Sequence, residues 1–143
     1  MIAVDTNILV YSHRTDSPLH QAAKAAVSEL AEGALAWAIP WPCVHEFYSV
    51  VTHPRIYDPP STRVQAVDQI RAWAESPRLR LLTEGEEHLD RLFALLDAGN
   101  VVGPKVHDAR IAAICLSHGV EHLMTIDRDF SRFPTLATRS PLV

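Results

Sequence analysis

Five carboxylates stand where a folding chain would not ordinarily place them. Asp5 and Asp127 each follow a short hydrophobic run, Ile2–Val4 and Leu123–Ile126. Asp129 lies two residues further on, in "DRDF". Asp108 heads a stripe with Ile111, Ala112 and Cys115 at i+3, i+4 and i+7, so an acid leads an apolar helix face. Glu46 sits inside "WPCVHEFYSVV", an otherwise largely apolar helix. Each has an ordinary explanation by itself. Asp5 could cap a helix, Asp108 could complement a helix dipole, and Glu46 could lie on a rim. Brought together, they would raise one another's pKa and destabilise the fold. A divalent cation removes that penalty, and all-oxygen ligation selects a hard ion, Mg²⁺ or Mn²⁺, over Zn²⁺. His45 and His107 directly precede Glu46 and Asp108. One step along a helix turns a side chain by about 100°, which disfavours shared ligation. No His-x₃-His pair within one helix and no Cys-x₂-Cys supports a zinc site.

The elements that must position these acids are legible in outline. Ile2–Val4, Ala36–Ile39, Leu79–Leu82 and Leu123–Ile126 read as short buried strands. Helical spacing marks Pro18–Ala31, with Ser17 as N-cap, and Val44–Thr52, which ends before Pro54. Val64, Val67, Ile70 and Ala74 mark another helix. Thr83 with Glu86 predicts a capping box for the helix carrying Leu89, Leu92, Phe93 and Leu96. A last helix covers Lys105–His118 and stops at Gly119. Strands alternating with helices imply an α/β fold, a parallel sheet covered on both faces. In such a sheet the strand carboxyl ends open on one edge, where ligands bind and where following helices begin. Asp5, Asp127 and Asp108 are all expected there.

Bulk properties narrow the function. At 143 residues a single domain, 1–143, is expected, with roughly two-thirds of its unfolded surface buried. The 48% hydrophobic and 21% charged content excludes a disordered chain. No apolar stretch approaches the roughly 20 residues that span a bilayer. No basic region precedes Ile2–Val4, so no secretory leader is expected. Cys43 and Cys115, both in core-like surroundings, fit a reduced cytoplasmic protein. A net charge of −4 argues against strong non-specific binding to a polyanion. Any nucleic-acid role must rest on a metal, a local basic patch or a helper protein.

The segments "AVDTNILVY", "HEFYSV", "HDARIAAICLSHGVEHLMTIDRDFSRFP" and the closing "SPLV" resemble a PIN domain of the VapC toxin type, over essentially the whole chain. The resemblance implies a three-layer PIN-like fold, a central parallel sheet of four to five strands flanked by helices. It also implies a metal-dependent endoribonuclease, a VapB-like antitoxin partner and a homodimer. The family's metal-binding acids carry over onto Asp5, Glu46, Asp108 and Asp127, and its supporting positions onto Asn7 and Thr125. Either Asp127 or Asp129 could face the metal. On this reading Asp5 and Asp108 hold the principal ion, Asp127 completes the ligand set and Glu46 serves the attacking water. Arg110, Arg128 and Arg132 lie near the expected edge as candidate phosphate contacts. Cys115 reads as core and Ser49 as a surface hydroxyl; Trp37, Trp41 and Trp73 are candidate surface anchors for such a dimer but read first as core.

Two rivals stay open. A haloacid-dehalogenase-like phosphohydrolase also begins with a strand ending in Asp, but carries a second Asp two residues later, where this chain has Asn7. A catalytically silent PIN-fold binding module would have no reason to keep four acids at their electrostatic cost.

Overall fold

The computed structural model describes residues 1–142; Val143, the last residue of the closing "SPLV", lies outside them. In chain order the elements are β1 (Ile2–Val4), α1 (Thr6–His13), α2 (His20–Glu32), β2 (Trp37–Pro40), α3 (Trp41–Val51), α4 (Arg63–Ala74), β3 (Leu79–Leu82), α5 (His88–Ala98), α6 (Val106–Ser117), β4 (His122–Met124) and β5 (Thr138–Arg139). Short 3₁₀ turns at Gly103–Lys105 and Arg128–Arg132 precede α6 and follow β4. The five strands form one sheet in the order β3-β2-β1-β4-β5, every pair parallel.

Burial explains the strand sequences. Ala3, Val4 and all of β2 are buried, as central parallel strands covered on both faces must be. Edge strand β3 instead exposes Arg80 and Leu81. Helices α1 and α2 pack on each other, as do α5 and α6. A core of large side chains fills the layers between helices and sheet, including Phe47, Ile8, Leu9, Ile114 and Phe130. Trp37 and Trp73 belong to it, as expected, and so do both free cysteines. Ser49 is exposed, also as expected. No helix among the described residues is long and apolar enough to cross a membrane.

Register fixes the functional edge. Val4 pairs with Met124 across β1 and β4, so the next residues, Asp5 and Thr125, emerge side by side, with Asp5 N–H donating to the Met124 carbonyl at 3.0 Å. The chain runs outward from β1 through β2 to β3, then returns to the other side for β4 and β5. The gap beyond β1 and β4 is therefore the point where strand order reverses, the place where open parallel sheets bind ligands.

Several local expectations change. The chain enters α1 directly after β1, with Asp5 as its N-cap. Asp5 is thus a helix cap and a sheet-edge acid at once. Helix α2 starts at His20 because the Ser17 hydroxyl accepts from Leu19 N–H in a turn instead of capping a helix. Helix α3 starts at Trp41, since Pro42 in the first turn lacks only an N–H that would have no helical partner there. The Thr83–Glu86 capping box does not form. The Thr83 hydroxyl donates to Glu84 instead, and α5 begins at His88 without a side-chain cap. A capping box forms elsewhere, between Thr62 and Gln65 at the head of α4. Strand β4 ends at Met124, so Asp127 follows a two-residue exit segment, Thr125 and Ile126. Trp41 is 39% exposed, not core, because it sits at the outer start of α3, stacked on His45. Gly119, at φ +65°, ends α6 as expected: its N–H reaches the Leu116 carbonyl and Val120 N–H the Cys115 carbonyl.

Candidate active site

Asp5 is 4% exposed at the start of α1. Its Oδ1 accepts from Thr6 N–H at 2.8 Å and from the Cys43 thiol at 3.7 Å, and its Oδ2 accepts from the Thr125 hydroxyl at 2.7 Å. Burial pushes its pKa up to about 6, against the hydrogen bonds from Thr125 and Thr6, with Glu46 and Asp127 adding like-charge repulsion.

Thr125 organises the centre of the site. While donating to Asp5, its Oγ1 accepts from Asp127 N–H at 3.0 Å and from the Asn7 amide at 3.4 Å. Thr125 thus touches Asp5 and the Asp127 backbone directly, and Asn7 reaches them only through Thr125. Asp127 Oδ1 accepts from Asp129 N–H at 2.8 Å and so caps the 3₁₀ turn that follows β4. Asp108, in the first turn of α6, has its pKa raised mainly by burial, with Asp127, Asp129 and Glu46 adding repulsion and Lys105 opposing it.

Two acids are held by partners that sequence reasoning missed. The Thr6 hydroxyl donates to Glu46 Oε2 at 2.6 Å, tying α3 to the head of α1. Lys105 forms an ion pair with Asp129. Thr6 could have been suspected as a hydroxyl directly after the candidate acid. Lys105 is one of only two lysines and lies three residues before Asp108, but its partner is 24 residues away. Asp108, Asp127 and Asp129 offer carboxylate oxygens that all lie within 4.8 Å of one another. Asp5, Asn7, Glu46, Asp108 and Asp127 share one cleft of about 320 Å³, which Val10, Tyr11, Val50, Ile56 and Tyr57 also line. A larger cavity of about 740 Å³ beside His13, Arg14 and Gln69 holds none of these acids.

The three candidate arginines differ. Arg110 pairs with Glu84, which holds the Glu84 carboxyl down to about 2, and borders a neighbouring hollow with His45, Glu46 and His107. Arg128 is exposed. Arg132 donates to the Gly99 carbonyl at 3.2 Å, which commits one of its arms to the loop after α5.

The donor set fits a hard divalent cation. Every acidic group present offers oxygen, and the fully buried Asn7 Oδ1 has no hydrogen-bond partner among the described residues, an acceptor left for a water or an ion. The buried Asp5 carboxyl, costly to ionise alone, would be relieved by such a charge.

Fold and site together define a parallel α/β protein with an acidic, cation-ready cleft at the carboxyl edge of its sheet. Sequence comparison narrows the class: the family model described as PIN domain matches residues 2–136, and the chain belongs to that family. Among curated relatives, Ribonuclease VapC33 of Mycobacterium tuberculosis is 30% identical over 142 residues, 99% of either chain. Among solved structures, VapBC2 from Rickettsia felis, bound to a promoter DNA fragment, matches with a TM-score of 0.70 at 19% identity over 98% of each chain. FitAcB from Neisseria gonorrhoeae matches with a TM-score of 0.71 at 18% identity over 99% of each.

Proposed function

We infer that this chain is an endoribonuclease and the toxin of a VapBC-type toxin–antitoxin pair, cutting RNA phosphodiesters by metal-assisted hydrolysis. One observation carries the reading: Asp5, Glu46, Asp108 and Asp127, from four separate segments, line one cleft beside the strand-order reversal. Curated relatives about 30% identical over nearly the full chain bear the name ribonuclease, and the fold matches those of VapBC complexes.

Asp5, Asp108 and Asp127 would hold Mg²⁺ or Mn²⁺, with Asn7 Oδ1 and Asp129 beside them. When bound, the ion would lower the pKa of a water and stabilise charge on the leaving 3′ oxygen. Thr125 holds Asp5 and the start of the Asp127 segment in fixed relation, so the ligand oxygens need little rearrangement. Glu46, held through one oxygen by Thr6, keeps the other free to take a proton from the attacking water. Water attacks phosphorus as the bond to the 3′ oxygen breaks, and no side chain becomes covalently attached. Cys43 and Cys115 take no part, since burial raises both thiols well above neutral pH. Lys105 offsets part of the negative charge, and Arg110 and Arg128 would steer phosphates. A VapB-like antitoxin would hold the enzyme in check. A homodimer and a cytoplasmic location complete the proposal.

Asp5→Asn tests the assignment. The purified variant is expected to fold but to lose RNA cleavage in Mg²⁺ or Mn²⁺. A variant that cut RNA as fast as the parent would refute it.

A further inference from the structure

Two histidines on the helices of the site take no part in the chemistry above. His45 and His107 each stand one step before an acid, Glu46 on α3 and Asp108 on α6. One step along a helix turns a side chain by about 100°, so neither shares its neighbour's direction. Both line a second hollow of about 230 Å³, together with Pro42, Glu46 and Arg110. Pro42, His45 and Glu46 fall at i, i+3 and i+4 of α3, and His107 and Arg110 at i and i+3 of α6, so each helix gives one face to it. Glu46 lines the acidic cleft as well, which makes the two spaces neighbours.

This hollow is not built for a cation. Among the described residues, the one cluster of three metal-ligating side chains is Asp108, Asp127 and Asp129, and none of them lines it. What it offers is flat surface and a set of directed donors. Trp41, one turn before the exposed His45, stacks on the His45 ring with 6.1 Å between centres and 29° between planes. Arg110 is half-buried, and its ion pair with Glu84 engages Nε. That pair fixes the guanidinium from one side and leaves its two terminal nitrogens to donate elsewhere. Glu84 is braced in turn: it accepts from the Thr83 hydroxyl at 2.9 Å, and the Thr83 carbonyl accepts from His118 Nε2 at 2.9 Å.

The volume is below the roughly 300–1,000 Å³ of ordinary small-molecule pockets and suits one planar ring system. In a nuclease, the ring system next to a scissile phosphate is a nucleobase. Proteins hold such a base by stacking on imidazole or guanidinium planes and by hydrogen bonds to its edge. The arginine fork only donates, so it matches two acceptors side by side. Guanine presents that pair, O6 and N7, whereas adenine sets an amino donor beside N7, cytosine an amino donor, and uracil a single carbonyl.

We propose that this hollow is a guanine-reading pocket for a nucleotide flanking the cut. Arg110 donates to guanine O6 and N7, His45 supplies stacking surface, and Glu84 is the positioning residue behind Arg110. The proposal rests on the nuclease reading and narrows Arg110 from steering phosphates to reading one base edge.

The test gives the full chain, in Mn²⁺, a pool of RNA of randomised sequence and maps the cut ends. Guanine should be enriched over adenine at one fixed position from the cut by about 5- to 150-fold, the discrimination one bidentate pair supports. In oligonucleotides varied at that position alone, inosine, which keeps O6 and N7, should be cut like guanine. There 7-deazaguanine, which lacks N7, should be cut more slowly. Arg110→Ala should bring all these bases to nearly equal rates, Arg110→Lys should keep part of the preference, and Glu84→Gln should reduce it. His45→Ala should raise KM for guanine and adenine substrates alike, since stacking does not distinguish bases. The readout is a ratio between substrates differing at one base, which a variant that merely folds less well leaves unmoved. A parent that cuts RNA without guanine preference at any flanking position would overturn the proposal, as would 7-deazaguanine cut as fast as guanine. So would a preference that survives Arg110→Ala, including a loss of rate uniform over all bases, which would make Arg110 a phosphate contact. In these cases this inference alone falls. If the parent cuts no RNA, the nuclease reading falls and takes this one with it.

Discussion

Replacing Asp5 by Asn should make the metal-free protein more stable at neutral pH, even as it destroys the site. Burial raises the folded Asp5 carboxyl from 3.8 to about 6. The folded state therefore binds this proton more tightly than the unfolded chain does. Stability is greatest below about pH 4, falls as pH rises toward 6, and is flat above. At about 1.4 kcal/mol per pH unit, two units of difference cost the ionised, metal-free fold about 3 kcal/mol. Asparagine carries no charge and can still accept from Thr6 N–H, but it leaves the Thr125 hydroxyl without its acceptor, a loss of about 1 kcal/mol. The net expectation above pH 7 is a gain of about 2 kcal/mol, or about 6 °C in Tm for a domain of this size. Near pH 4 the sign should reverse, with the variant less stable by about 1 kcal/mol. The assay is thermal unfolding from pH 4 to 8 in EDTA, repeated with Mn²⁺. Mn²⁺ should raise the parent's Tm above pH 6 and leave the variant's nearly unchanged. A variant less stable than the parent at pH 7.5 in EDTA would refute the burial argument, and an undiminished Mn²⁺ shift would refute the ligand assignment.

Three further outcomes follow from the same geometry. Thr6→Val removes the hydroxyl that holds Glu46 at 2.6 Å, so kcat should fall about 10-fold or more with little change in the Mn²⁺-induced Tm shift. Lys105→Gln removes the countercharge on Asp129; the metal-free protein should melt lower in low salt, and Mn²⁺ titration by calorimetry should show tighter binding. Phe47→Ala, on the buried face of α3 next to Glu46, empties a fully buried position packed edge-on against His13 and Trp73 and should cost about 3–5 kcal/mol by denaturant unfolding.

Much of this protein is written locally. The strands of a parallel sheet buried on both faces read as short apolar runs, and Ile2–Val4 and Leu79–Leu82 are bounded as read. The stripe Ile111, Ala112, Cys115 is buried and leaves Asp108 at the head of its helix. An acid after a strand, or atop an apolar face, is conspicuous because its cost depends on its immediate neighbours, which the sequence shows. Helix starts were less legible, because Ser17, Thr83 and Pro42 each had competing local uses. The two-residue strand β5, Thr138–Arg139, is exposed and carries no hydrophobic signature; it exists because β4 offers it an edge.

What the sequence determined by itself is the set of acids and the periodic elements that carry them. Which acids meet, and on what terms, was left to the tertiary structure. The strand order put Asp5 beside Thr125, 120 residues away, and placed both at the reversal. Packing of α3 on α1 gave Glu46 its hydroxyl, and the loop before α6 gave Asp129 its lysine. These partners come from elements whose adjacency depends on sheet order and helix packing, and no local pattern encodes that. The burial that lifts the Asp5 carboxyl to about 6 is likewise a property of the closed fold, because desolvation exists only once the chain has surrounded it.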